Sequence, residues 1–98
     1  MQYARNVHFQ IKNGREKDFD TLFTNEILPM LKKQEGFKQE LMLVNRNAAV
    51  GISLWDDRKH ADTYQTATYP KILEKLTPVL EGTPRVETYD VGVSTLPA

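Results

Sequence analysis

Apolar and polar positions alternate cleanly over Tyr3–Lys12, with Val7, Phe9 and Ile11 on one face and Asn6, His8 and Gln10 on the other. A period of two predicts a half-buried strand. Asn13-Gly14 then breaks the pattern. Over Arg15–Gln34 the period lengthens: Phe19, Leu22, Phe23, Ile27, Met30 and Leu31 lie on one helical stripe. Pro29 has no N–H to donate and crowds the turn before it, so a kink or break is expected near Leu28. Gly36 closes the element.

Phe37–Asn45 and Ala48–Trp55 read as two strands joined by the Arg46-Asn47 turn. Asp56-Asp57 caps a helix running to about Thr68, with carboxylates at its positive end. Pro70 starts a second helical piece through Leu80, striped by Ile72, Leu73, Leu76 and Leu80. Gly82 and Pro84 end it, and Arg85–Ser94 is a fourth strand. The predicted order is β-α-β-β-α-β with the second helix broken: an α+β, ferredoxin-like, four-stranded antiparallel sheet. Right-handed crossovers place both helices on one face.

The other face needs cover. Val50, Ile52 and Leu54 alternate with Gly51, Ser53 and Trp55, and the preceding strand is apolar on both sides. A sheet half in water normally shows a polar outer face. Trp55, Met42 and Val44 are therefore expected to be covered by a second copy packing sheet to sheet.

Composition supports that expectation. Ninety-eight residues make one domain, read as 1–94 with a short tail, 95–98. A chain this short buries a modest share of its surface, and without Cys it has no disulfide or thiolate metal site to compensate. Lys+Arg and Asp+Glu both number 13, and the charges are dispersed, which argues against a nucleic-acid partner. No apolar run nears the roughly 20 residues of a membrane span. The start of the chain is too polar for a signal peptide, so a cytoplasmic location is expected.

The chain resembles the antibiotic biosynthesis monooxygenase (ABM) domains of the dimeric α/β-barrel superfamily. The likeness rests on the element order, Gly36-Phe37 opening the second strand, Ile52-Ser53-Leu54-Trp55-Asp56 closing the third, and Tyr69-Pro70 in the second helix. It implies a homodimer with one pocket per subunit between sheet and helices. Members include cofactor-free oxygenases of polyphenolic, anthrone-like substrates, and haem-degrading enzymes. The haem-degrading pattern needs an Asn on the first strand, then a Trp and a His on the second helix. Those places fall on Val7, Tyr64 and Glu74, with Asn6 one residue out of step, so haem degradation is rejected.

Candidate chemistry is sparse. His8 can serve as a base toward a phenolic proton, or as a bonded residue at a dimer interface. Glu26, at the margin of the first helix's stripe, is a second candidate base, or a rim residue paired with a cation. Trp55 can wall an aromatic pocket, or be a core or interface residue. The hydroxyls of Tyr64 and Tyr69 can hold a ligand oxygen or bond locally, and Asn6 is a further donor. His60 is read as an exposed surface residue, and no metal site is expected from two His without ligand spacing. Arg5, near a strand end, is read as snorkelling to water rather than meeting an anion. No G-x-S-x-G, Cys nucleophile or phosphate loop is present. The expected function is cofactor-independent oxygenation of a small aromatic substrate. The alternative is a non-catalytic ligand-binding or structural homodimer.

Overall fold

Tyr3–Gln10 forms the strand β1, and its burial alternates: Tyr3, Arg5, Val7 and Phe9 are buried, while Ala4, Asn6 and His8 are half-buried on the other side. The computed structural model describes residues 1–96, so the last two residues of the expected tail lie outside the described residues. The remaining strands are β2 (Phe37–Asn45), β3 (Ala48–Trp55) and β4 (Arg85–Asp90), in the spatial order β2-β3-β1-β4, every neighbour antiparallel. β4 stops four residues short of the expected Ser94, although the Val91 N–H still donates to the Gln2 carbonyl at 2.9 Å.

The first helix divides as Pro29 demands. α1 spans Glu16–Leu22, Phe23–Ile27 is a π-helical turn, and α2 spans Leu28–Lys32 with the proline in its first turn. Proline leaves a carbonyl in the turn before it unpaired, and a wider turn relieves the clash. α3 (Arg58–Ala67) and α4 (Tyr69–Leu76) are the two halves of the broken second helix, followed by a 3₁₀ turn, Thr77–Val79. Asp57 caps α3 by accepting from the His60 N–H at 2.9 Å. No helix among the described residues is long and apolar enough to cross a membrane.

One apolar cluster joins the inner face of the sheet to the helices, with Trp55, Ile27 and Leu76 fully buried. Each such side chain contributes about 1.5–3 kcal/mol from apolar burial. Aromatic rings run through it in contact: Phe37 on Trp55 at 5.7 Å, Trp55 on Tyr64 at 4.8 Å, and Tyr64 on Tyr69 at 6.1 Å between centroids.

The inner and outer faces of β2 and β3 are the reverse of the expectation. Trp55 is fully buried against the helices, and Met42 also points inward. Val44 shares their inward row parity, opposite Ala49, but is exposed near the strand end. The outer face carries Leu41, Leu43, Val50, Ile52 and Leu54, with Leu41 and Leu43 about half exposed. Two things cause this. A bulge between Phe37 and Gln39 inserts an extra residue into β2, so Glu40 and Met42 turn inward after Phe37. On β3 the small residues Gly51 and Ser53 face in, where they leave room beneath the aromatics, and the branched residues face out.

Candidate functional site

Glu40 on β2, Ser53 on β3 and Arg5 on β1 stand side by side in one row of the inner face. Arg5 is 2% exposed. The expectation that it snorkels to water is therefore corrected. Odd-numbered residues of β1 face the helices, and α3 and α4 close over the guanidinium before it can reach the strand end. Its carbon lies 4.8 Å from the centroid of Tyr64 and 4.6 Å from that of Tyr69. Two ring faces offer a desolvated cation an electrostatic partner that water no longer supplies. One terminal nitrogen donates to Gln65 Oε1.

Among the described residues, three buried side-chain polar atoms are left without a partner: Arg5 Nε, Glu40 Oε2 and the Tyr69 hydroxyl. Their three residues line the same cavity, of about 20 Å³, between the sheet and the helices. A space of that size holds about one water molecule. Phe23, Ile27, Leu31 and Ile72 make its apolar wall, and Gly51 and Met42 part of its floor. A Cβ on Gly51 would stand 3.3 Å from Glu40 Oε2 and 3.2 Å from Met42 Cε, so glycine keeps the space open.

Burial dominates the electrostatics. It pushes the Glu40 carboxyl up to about 8, with the Arg5 charge pulling the other way. It holds both Tyr64 and Tyr69 above the usual phenol range, again against the pull of Arg5. It lowers the Arg5 guanidinium from its ordinary value, while Tyr64 and Tyr69 oppose that shift. The arrangement presents donors from a cation and a phenol on one side and a carboxyl on the other. It suits a small ligand whose oxygen gains negative charge while a proton leaves it.

Of the residues expected from sequence, Tyr64 and Tyr69 line the cavity. Trp55 stands behind Tyr64, its indole N–H donating to Ser53 Oγ at 2.9 Å. Asn6 lies on the outer face beside Ile52 and Glu87. His8 is on that face too, 2.9 Å from Glu87 Oε1. Glu26 is exposed on the π-helical turn, 3.3 Å from Lys75 Nζ. His8, Glu26 and Asn6 are not among the cavity's lining residues. Arg5 and Glu40 are the ionisable groups that line it together with Tyr64 and Tyr69. An Arg on an otherwise apolar strand face is a legible signal, whereas the bulge hides Glu40.

His60 is half-buried rather than exposed. Its Nδ1 lies 2.7 Å from Asp56 Oδ1, which raises the imidazole and lowers the carboxyl. Gly36, at φ +83°, passes directly beneath this pair. Asp56, Asp57 and His60 offer donor atoms within 4.8 Å of one another. Helix capping and the His60–Asp56 bond already account for that grouping.

No family model and no curated protein sequence matches the chain. Solved structures do. A protein of unknown function from Nitrosomonas europaea superposes with a TM-score of 0.83 at 18% identity, over 99% of this chain and 95% of that one. SnoaB, a cofactor-independent oxygenase from Streptomyces nogalater, gives 0.80 at 14% identity, over 96% of both chains. A candidate antibiotic biosynthesis monooxygenase from Bordetella bronchiseptica gives 0.78 at 13% identity, over 94% and 98%. The chain therefore has the ferredoxin-like α+β fold of the antibiotic biosynthesis monooxygenase-like proteins.

Proposed function

We propose that this protein is a cofactor-independent monooxygenase of a small hydroxylated aromatic substrate, bound in the cavity beside Arg5. The observation that carries the reading is the unpaired trio of Arg5 Nε, Tyr69 hydroxyl and Glu40 Oε2 around one space. Buried polar groups without partners are costly, so three lining residues of one cavity that each carry such a group mark a place for a polar ligand. The fold shared with a cofactor-independent oxygenase supports the reaction class.

In this reading the phenol (enol) tautomer of a substrate with an activated CH₂ loses its hydroxyl proton and becomes an anion delocalised onto that carbon, which then bears one C–H. Arg5 and the Tyr69 hydroxyl stabilise its oxygen. The anion passes an electron to O₂, and the radical pair joins to form a C–O bond to a peroxide. The remaining C–H bond and the O–O bond then break with loss of water, leaving a carbonyl. One oxygen atom enters the product and the other leaves as water, and the substrate supplies all four electrons. Trp55 and Tyr64 form the aromatic backing of the site. A preorganised donor of the Arg5 kind is worth roughly 10²–10³ in rate.

The same reading includes a homodimer. Leu41, Leu43, Val50, Ile52 and Leu54 form a continuous outer patch, and a second copy packed on it would remove it from water.

One observation favours the non-catalytic alternative. A cavity of about 20 Å³ is several times smaller than an aromatic ring, so its lining side chains must part to admit one. Oxygen uptake separates the two readings. Wild-type protein incubated with a panel of anthrones and hydroquinones is expected to consume O₂ above the blank, and Arg5→Met to lose about a hundredfold of that rate. No uptake with any of the panel, together with Trp55 fluorescence changes on ligand addition, would establish a binding protein instead.

A further inference from the structure

We infer that Glu40 is the proton acceptor of this site, taking the proton from a bound phenolic hydroxyl onto Oε2. The inference rests on the reading of the Arg5 cavity as a phenol site, and adds the residue that performs its first step.

The geometry leaves one candidate. The titratable groups lining the cavity are Arg5 from β1, Glu40 from β2, Tyr64 from α3 and Tyr69 from α4. Arg5 is already a cation, and burial keeps both tyrosines protonated. No other charged group among the described residues lines the cavity: Ser53 and Gly51 come from β3, and Phe23 and Ile27 from the π-helical turn, whose Glu26 is exposed and paired with Lys75. Among the described residues, Glu40 is thus the one lining group able to receive a proton, and it does so in its ionised form, which prevails above about pH 8.

Its position suits the task. Glu40 stands across β3 from Arg5 in the same row, and its buried Oε2 lacks a partner. The missing Cβ of Gly51 leaves the approach to that oxygen open. A ligand between the two would meet a cation at one end and, above about pH 8, a carboxylate at the other.

The transfer also conserves charge inside the cavity. The ligand's O–H bond breaks, a new O–H forms on Glu40, and the electron pair stays on the ligand oxygen. One negative charge therefore moves from Glu40 to an oxygen beside Arg5, and none is created in a dry site. Burial, which raises the Glu40 carboxyl to about 8, brings it closer to a phenol's affinity for protons.

4-Nitrophenol tests this without oxygen chemistry, because absorbance distinguishes its phenolate from the neutral phenol. Above about pH 8, forming the complex requires Glu40 to regain a proton. Wild-type affinity for the phenolate should therefore fall by up to about tenfold per pH unit between pH 8 and 10. Glu40→Gln, an isosteric neutral side chain, should bind with an affinity that stays flat over the same range. Carboxyl ¹³C resonances of the wild-type protein, assigned by comparison with Glu40→Gln, should show Glu40 moving to its protonated position at pH 9 when the probe binds. Equal pH slopes in both proteins, a Glu40 resonance that stays ionised in the complex, or no binding of the probe would overturn the inference. Failure of oxygen uptake with these results intact would remove the oxygenase reading and leave the proton acceptor in place.

Discussion

The guanidinium carbon of Arg5 lies 4.6 Å from the centroid of the Tyr69 ring, and the hydroxyl of that same ring has no hydrogen-bond partner. In the proposed site, cation and phenol together are the donor pair for the substrate's anionic oxygen. Arg5→Met keeps the length of the side chain and removes the charge. Removing one partner of a buried charge pair leaves the other uncompensated, and Glu40 ionises above about pH 8. The expected result is a loss of about 3–5 kcal/mol above that pH and a smaller one below it, by urea unfolding. Affinity for 4-nitrophenolate should fall at least tenfold, measured by equilibrium titration.

Glu40 ties stability to pH. Its native value near 8 stands above the ordinary 4.5, so the folded protein binds more protons than the unfolded chain between those values. Wild-type stability therefore declines as pH rises through that window, by at most about 1.4 kcal/mol per pH unit. Glu40→Gln removes this dependence. The variant should become more stable than wild type as pH rises, with the gap levelling off above about pH 8. Urea unfolding from pH 5 to pH 9 gives the comparison, and a gap independent of pH would contradict it.

Much of the fold is legible in the sequence because local patterns agree with it. The alternation in β1 fixes its inward residues, Pro29 fixes the break in the first helix, and Pro70 fixes the division between α3 and α4. The site is less legible. Glu40 faces inward only because the bulge between Phe37 and Gln39 resets the alternation, and a one-residue reset exchanges the two faces of a strand. Val50, Ile52 and Leu54 read as core, yet they face outward, because Arg5, Tyr64 and Trp55 occupy the space that Gly51 and Ser53 leave. Arg5 itself sits visibly on an apolar face. What holds it there arrives much later in the chain, with Tyr64 and Tyr69, and no local pattern announces that meeting.

Gly36 couples the turn before β2 to the start of α3. At φ +83° it occupies backbone space that favours glycine, and a Cβ there would overlap Asp56 Oδ1 and stand 2.5 Å from His60 Nδ1. Gly36→Ala is expected to cost about 3 kcal/mol or more, from strain and steric overlap together. It should also break the bond that raises His60. A raised imidazole stabilises the fold fully below its ordinary value of 6.5 and loses that contribution as pH rises through the raised value. The His60 ring protons, followed by NMR, should titrate above 6.5 in wild type and fall back toward it in the variant.

The outer patch predicts association. Ile52 lies opposite Leu41 near the middle of that face, flanked on β3 by Val50 and Leu54. Light scattering of wild type should give twice the 11.3 kDa chain mass and hold it on dilution. Ile52→Arg should give a folded monomer, since a charge at the centre of an apolar sheet interface is left without a partner. A monomeric wild type would remove the homodimer from the account.

Isotope labelling tests the central claim most directly. Wild-type protein, dialysed against chelator, would be given an anthrone under ¹⁸O₂ and the product weighed by mass spectrometry. The expected product is a carbonyl compound carrying one ¹⁸O atom, formed at a rate that falls sharply in Arg5→Met. Product free of label, or label incorporated equally fast without the protein, would contradict it.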